Sequence, residues 1–464
     1  MKKSLKALIS LVLALMLVLS LAACSSGSGS SGAADSSDGS STPTEDSSAS
    51  ESSKESGDAT EQTELYIWDM TWGTADNMKI ADDNLIAAYE ESHPDVKIRL
   101  EVKAWDGYME TYSTAIASGT APDVCTAGGC QVGLYQSQGE LLDLTPIVEA
   151  WEAEDNEVLD DFIPMTTELF KYGDELAAFC FGIDAKMMLY RTDFLEEAGF
   201  DGIPSTLEEF REALEMCKEK FPDKVPLSAP GNGTPATHNM AIFLGWAGSG
   251  YTDENLVPSL TSEKAQTAMK FVSDLYKDGL IGEGDAAYGE SDSQKLFANG
   301  GAVFVLGQNT ASFRDNDFFD KVAIMPAPEG GYPVMCPNPI MAFKNSANNK
   351  VNPQVSYDYI KWFMENSKDW FIESGNSNFP VRTSYYEDPY WADEPIRQQC
   401  FERIINVGVA EVYPAQEMYP AFLQVDGELI LSQAFQRLIM GEDPMTVGED
   451  TNVLIQDCLD TYNG

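Results

Sequence analysis

The chain has 464 residues, among them 75 acidic and 29 basic side chains, which give a formal net charge of −46. Nucleic acids and anionic lipid surfaces bind proteins through basic side chains, so this charge argues against both as partners. Only two histidines occur, and no two cysteines have the Cys-x-x-Cys spacing. The composition therefore predicts no metal site, no cofactor and no histidine-based nucleophilic catalysis.

The first 24 residues have the features of a secretory signal. Lysines near the start precede an apolar run at 7–23. This run is shorter than the apolar segment of a typical transmembrane helix. The run ends in Leu-Ala-Ala-Cys at 21–24, which resembles the lipobox of bacterial lipoproteins, where the cysteine is lipidated. We therefore expect a lipoprotein signal peptide at 1–24 and lipidation of Cys24; the alternative is an ordinary cleaved signal with a chance cysteine.

A linker is predicted at 25–63. This stretch is dominated by Ser and Gly with scattered acids, and it contains no Leu, Ile, Val, Met or aromatic residue. Without apolar side chains to bury, nothing offsets the loss of chain entropy on folding, so a flexible tether is expected. A lipid on Cys24 would then anchor the protein to the outer face of the cell membrane, with the folded body standing off it.

The remaining residues, 64–464, are rich in aliphatic and aromatic side chains and long enough for two domains. The letters ELYIWD predict a strand that ends at Asp69, and a helical stretch follows through 85–89. Apolar and charged residues then alternate in 95–103, which is typical of a strand with one buried face. The body should open as a strand, a helix and a second strand.

Later segments alternate between the two kinds of element. Ser205 and Glu208 form a capping-box pattern at the start of one helix, and Gly279 is typical of the end of another. Short apolar runs at 302–307 and 322–328 predict strands between helices. The fold class is therefore α/β with parallel-type crossovers, and the cysteines after Cys24 are expected to be mostly free, buried thiols.

Six segments in order resemble the family 1 extracellular solute-binding proteins of ABC importers, the group that includes maltose-binding protein. They lie at 115–124, 141–151, 187–214, 296–307, 325–331 and 378–382. The resemblance implies a two-lobed, periplasmic-binding-protein-like fold of type II, with crossing hinge segments and the ligand cleft between the lobes. It places lobe 1 at 64–184 plus 338–388 and lobe 2 at 185–337 plus 389–464. The stretches 125–135 and 335–343 depart from the family pattern and are expected to border the cleft.

A sugar presents hydroxyls and apolar C–H faces, so its site favours aromatic rings beside carboxylates and amides. The candidate ligand-binding residues lie near predicted strand ends, in Gly-rich turns and at predicted crossings between the lobes. Asp184 also matches, through the resemblance, a carboxylate that contacts sugar. The predicted ligand-binding residues are Asp69, Trp72, Gln131, Asp184, Trp246, Asn309, Asn338, Tyr413 and Tyr419. Asp123, in contrast, is expected to support the fold.

The leading interpretation is a monomeric, lipid-anchored substrate-binding protein of an ABC importer. It would capture an extracellular oligosaccharide by lobe closure and deliver it to the transmembrane permease subunits, without catalysis. Two alternatives stay open at this point. One is a binder of a non-sugar solute such as a polyamine or a peptide, and the other is a secreted glycoside hydrolase, since abundant acids always allow a catalytic pair.

The lipobox hypothesis predicts the effect of Cys24→Ala. Without a thiol to acylate, the protein should leave the membrane fraction of expressing cells while its affinity for ligand stays unchanged. Cell fractionation with immunodetection measures this. A variant retained in the membrane fraction would contradict lipidation of Cys24.

Overall fold

The computed structural model describes residues 62–105, 107–154 and 157–462. The predicted signal peptide, Cys24 and nearly all of the predicted linker lie outside the described residues. Within them, no helix combines the length and the apolar content that a membrane crossing requires.

In the part of the chain that the structure describes, thirteen strands form a large sheet, a small sheet and a hairpin. In chain order they are β1 Thr63–Met70, β2 Val96–Lys103, β3 Val124–Thr126, β4 Lys171–Tyr172, β5 Glu175–Leu176, β6 Phe179–Ala185, β7 Met187–Arg191, β8 Val225–Ser228, β9 Ala302–Gln308, β10 Val322–Ile324, β11 Val334–Ala342, β12 Phe379–Pro380 and β13 Val409–Ala410.

Helices cover both sheets. They are α1 Ala75–Ser92, α2 Tyr108–Ser118, α3 Cys130–Ser137, α4 Thr145–Ala153, α5 Met165–Glu168, α6 Thr192–Ala198, α7 Leu207–Lys220, α8 Thr234–Trp246, α9 Glu263–Lys277, α10 Glu290–Ala298, α11 Gln354–Asn366, α12 Lys368–Ser374, α13 Pro389–Ala392, α14 Pro395–Cys400, α15 Pro420–Gly427, α16 Ile430–Leu438 and α17 Pro444–Tyr462. A π-helical turn spans Phe401–Ile405.

The large sheet has the strand order β12-β6-β11-β3-β1-β2, and β13 pairs with the start of β11. The predicted opening is confirmed, because β1 lies parallel to both β2 and β3 with α1 between the first two strands. Its core is aromatic: Phe181 of β6 packs edge-on against Phe363 and Trp370. The Trp370 indole also donates to Asp82 of α1 at 2.9 Å, which joins α12 to α1.

The small sheet has the order β10-β7-β9-β8. Its central strand β9 is buried along its whole length, as the continuous apolar run of the sequence predicts. Phe304 of β9 packs against Phe210 of α7, which in turn contacts Trp246 of α8. Of the predicted parallel crossovers, β8 with β9 is confirmed, whereas β7 lies antiparallel to both of its neighbours.

The chain passes between the two sheets at two closely spaced places. Lys186 alone separates β6 of the large sheet from β7 of the small one, and the chain returns from β10 to β11 through 325–333. There β6 and β11 pair antiparallel, with Asp184 opposite Cys336. The lobe boundaries 64–184 plus 338–388 and 185–337 plus 389–464 remain a prediction.

The capping box occurs one residue later in the chain than predicted. The helix α7 begins at Leu207, so Thr206 is the N-cap and accepts from the Glu209 backbone N–H at 3.1 Å. Glu209, rather than Glu208, reaches back to the Ser205 backbone N–H at 2.8 Å. The prediction of free thiols is confirmed for all cysteines in the described residues, of which only Cys130 and Cys336 are not fully buried.

Asp123 supports the fold, as the sequence predicts. Its carboxylate is buried and accepts from the Tyr66 backbone N–H at 2.9 Å, from the Ser346 hydroxyl at 2.6 Å and from the Asn348 side chain at 2.8 Å. These contacts join β1 to the turn after β11. Asp123 itself lies directly before β3, so its side chain joins three segments: the start of β3, β1 and the turn after β11.

We expect Asp123→Ala to lower the melting temperature, because hydrogen bonds to a charged group contribute on the order of 1.5–3 kcal/mol each and their buried donors would lose their acceptor. Differential scanning calorimetry measures the shift. Asp95→Ala, which removes an exposed carboxylate directly before β2, is the matched control. Equal melting temperatures for the two variants would show that the Asp123 contacts do not stabilise the fold.

Candidate functional site

A cavity of about 530 Å³ lies where the two sheets meet. Its walls combine segments that follow β1 and β2, the facing parts of β6 and β11, the first turns of α3, α8 and α10, and the chain after β13. Its polar and aromatic lining residues are Thr71, Trp72, Trp105, Tyr108, Cys130, Asp184, Lys186, Thr234, His238, Glu290, Asn309, Cys336, Asn338, Ser377, Asn378, Glu411 and Asp426.

Three aromatic rings form one wall. The rings of Trp72 and Trp105 meet edge-on with centroids 5.0 Å apart, and Trp105 meets Tyr108 in the same way at 5.2 Å. The indole N–H of Trp105 donates to the Thr71 carbonyl at 2.9 Å, which fixes the ring although 40% of the residue is exposed. This wall offers the rigid apolar surface that the C–H face of a sugar would contact.

Asp69 lies behind this wall rather than on the cavity. Its carboxylate is buried and accepts from the indole N–H of Trp72 at 2.9 Å and from the Thr126 hydroxyl. Burial and the charge of Asp82 raise the pKa of Asp69 to about 7, against the opposing effect of these hydrogen bonds. Asp69 therefore orients Trp72 and does not itself line the cavity.

Gln131 also has a supporting position. It is fully buried, donates to the Tyr135 hydroxyl at 2.8 Å and accepts from the Gly128 backbone N–H at 3.3 Å. The turn that it holds brings Gly129 onto β11, where a Cβ would stand 2.6 Å from the Pro337 carbonyl. The glycines of the turn, Gly128 and Gly129, line the cavity, whereas Gln131 does not.

A charged cluster occupies the crossing itself. The ammonium of Lys186 lies 3.3 Å from Asp184 and 3.8 Å from Glu290. Burial lowers the pKa of Lys186, but these two carboxylates outweigh it and hold the pKa above its ordinary value, so the lysine stays charged. Among the described residues, the second carboxylate oxygen of Asp184, Oδ1, is buried without a hydrogen-bond partner. The hydrogen-bonding capacity of this oxygen is therefore unused among the described residues.

Amide side chains complete the polar lining. Asn338 of β11 donates to Asn378 at 3.2 Å, while the Nδ2 of Asn378 is buried without a partner among the described residues. Asn309 follows β9 at the cavity edge and accepts from the Ser312 hydroxyl at 3.4 Å. The lining therefore holds an amide donor and a carboxylate oxygen that both lack a partner among the described residues.

A third group of side chains lies around Glu411. Its two oxygens contact the thiols of Cys336 at 3.2 Å and Cys130 at 3.9 Å. Burial and the nearby charge of Asp426 raise the pKa of Glu411 to about 7, and burial raises that of Asp426 to about 6. Burial and Lys186 lower the pKa of His238 to about 4, so its imidazole is neutral near pH 7.

Of the predicted ligand-binding residues, the structure brings Trp72, Asp184, Asn309 and Asn338 together on this cavity. Trp246 is instead buried in the small-sheet core, between Phe210 and Phe243.

The two predicted tyrosine plates lie outside the lining. Tyr413 is 38% exposed and packs edge-on against Tyr332, and Tyr419 packs near Phe422.

Sequence reasoning missed several lining residues. Trp105 had a usable signal, because it follows β2, and the carboxyl ends of the parallel strands β1 and β2 meet at one edge. His238, Glu290, Glu411 and Asp426 had none, because they come from remote segments and only the tertiary fold places them together. Lys186 lies two residues after Asp184 and was missed because the sequence reasoning favoured aromatic rings, carboxylates and amides.

The geometry agrees with comparisons to known proteins. A family model for bacterial extracellular solute-binding proteins matches residues 73–368. A putative binding protein of Brucella abortus (strain 2308) is 24% identical over 279 residues, which cover 57% of this chain and 64% of that protein. The diacetylchitobiose binding protein DasA of Streptomyces coelicolor is 26% identical over 184 residues, 40% of each chain.

The fold itself matches a solved structure. A sugar transporter of Arthrobacter chlorophenolicus with bound laminaribiose superposes with a TM-score of 0.72 at 19% identity, covering 85% of this chain and 98% of that one. The predicted two-lobed α/β architecture is therefore confirmed. Because the family match covers more than half of the chain, this protein belongs to the bacterial extracellular solute-binding proteins.

Proposed function

We propose that this protein captures an extracellular carbohydrate, an oligosaccharide, in the cavity at the crossing of the two sheets. Closure of the lobes would trap the ligand, and the closed form would deliver it to the transmembrane subunits of an ABC permease. In this role the protein is a monomer that is anchored through a lipid on Cys24 and has no catalytic activity.

One observation carries the proposal: aromatic rings line the same cavity as carboxylate and amide side chains, two of which have unused hydrogen-bonding atoms. Trp72 and Trp105 supply the rings, and Asp184 and Asn378 supply a free acceptor and a free donor among the described residues. Sugars combine apolar faces with hydroxyls, so they match both sides of such a cavity. The relatives named for diacetylchitobiose and laminaribiose support a saccharide as the ligand class.

A polyamine is the second candidate, and the charge of the cavity favours it. Asp184, Glu290, Glu411 and Asp426 line the cavity with Lys186 as the single basic side chain among the described lining residues. A ligand with several ammonium groups would offset this negative charge.

A thermal-shift screen tests the proposal. A ligand that binds only the folded state raises the melting temperature, so at least one oligosaccharide of a broad panel should raise it, and polyamines should not. A shift with polyamines and none with saccharides would overturn the sugar assignment. Release of new reducing ends from a bound saccharide would instead show hydrolysis and contradict a binding-only role.

Asp184→Asn should weaken saccharide binding about ten- to a hundredfold, because losing a charge-assisted hydrogen bond costs on the order of 1.5–3 kcal/mol. Isothermal titration calorimetry measures the affinity, and a melting curve of the empty protein reports the fold. The matched control is Asp193→Asn, which also removes an aspartate paired with a basic side chain, Arg191, away from the cavity. Equal affinities in the two variants would remove Asp184 from the site.

Trp105→Ala should lower saccharide affinity roughly tenfold, since a ring contact beyond simple burial contributes about 0.5–1.5 kcal/mol and apolar area is lost as well. The partly exposed indole leaves the core intact, so the melting temperature should change little. Tyr413→Ala is the control, because Tyr413 is similarly exposed but does not line the cavity. A larger loss of affinity in Tyr413→Ala than in Trp105→Ala would show that the ligand lies elsewhere.

A further inference from the structure

We propose that His238, Cys336 and Glu411, which all line the cavity, bind a divalent metal ion such as zinc. This site goes beyond the proposed carbohydrate function and does not depend on it. It contradicts the expectation from the sequence that no metal site exists, because that expectation rests on the small number of histidines and on cysteine spacing.

The distances fit a metal site. One potential ligand atom from each of the three side chains lies within 4.8 Å of the other two. The Cys336 sulfur and a Glu411 oxygen are 3.2 Å apart. Ligand atoms bonded to tetrahedral zinc at about 2.0–2.3 Å stand roughly 3–4 Å from each other, so only a small contraction around the ion is required.

Two of the three ligands are held in place by backbone pairing. Cys336 lies on β11, and Glu411 directly follows β13, which pairs with the first residues of β11. The backbone N–H of Glu411 donates to the Met335 carbonyl at 2.9 Å, so the two side chains leave adjacent strands at a fixed separation. His238 reaches the same point from α8, beside the small sheet.

The types of ligand indicate which metal would bind. A thiolate, an imidazole and a carboxylate form a ligand set that suits zinc, whereas magnesium and calcium prefer oxygen alone. The surrounding charge also favours a cation, because Asp184, Glu290 and Asp426 outnumber the single lysine of the lining. Three protein ligands leave one coordination position open toward the cavity, where water or a ligand oxygen can bind.

Zinc titration of the metal-free protein in a calorimeter tests the proposal. One zinc ion per chain should bind, and His238→Ala or Cys336→Ser should each weaken binding at least tenfold, since losing even an outer-shell partner costs about 10–100-fold. Cys217→Ser, which changes a buried free thiol of α7 outside the cavity, should bind zinc as the unmodified protein does. Absence of zinc binding, or equal affinities in all variants, would overturn the site.

Cobalt gives a readout that does not depend on variant folding. Co²⁺ bound to the unmodified protein should produce a near-ultraviolet sulfur-to-cobalt charge-transfer band, and stoichiometric zinc should abolish it. Cobalt binding without this band would contradict ligation by Cys336. Saccharide titration in the presence of a chelator separates the two proposals, because sugar binding without metal leaves the carbohydrate function standing whatever the zinc result.

Discussion

The pairing of β6 with β11 is the interaction on which the cavity depends. The two strands run antiparallel with Cys336 opposite Asp184 and Asn338 opposite Gly182, at the point where the chain leaves the large sheet. Because side chains alternate across a strand, a shift of one residue would turn each of these groups to the other face. Pro337 and Pro339 lie within β11, and the register breaks between Asn338 and Pro339, as expected where proline cannot donate to the ladder.

The same pairing explains why the cavity is both polar and desolvated. Lys186 is the only residue between β6 and β7, so its charge is held at the crossing and needs nearby carboxylates to offset its burial. On the other edge of β11, β13 positions Glu411, and burial together with the charge of Asp426 raises the pKa of Glu411 to about 7. Folding has already excluded part of the water from this cavity, and a bound ligand would displace the rest.

Much of the fold could be predicted from local pattern. The alternation in β2 and the unbroken apolar run of β9 both lie where the sequence places them, because each depends on burial of its own side chains. The cap of α7 was placed one residue early, since Ser205 and Thr206 are equally good caps and only the position of Leu207 decides between them.

The candidate site was less predictable. Trp72 follows a predicted strand, and Asp184 lies at a predicted crossing where the family resemblance also implies a carboxylate; both line the cavity. Trp246 was misplaced relative to the cavity, because the spacing that puts it near Phe243 is equally that of a core residue. His238 and Glu411 lie 173 positions apart in the sequence, and no local pattern encodes the tertiary contact that brings them together.

Hydrogen–deuterium exchange with mass spectrometry, with and without a saturating saccharide, tests most directly whether this cavity is the ligand site. We expect slower exchange in the peptides that contain the crossing, at 182–186, 335–338 and 409–411, and in the turn at 128–131. Exchange that slows only in other segments, while a saccharide demonstrably binds, would contradict it.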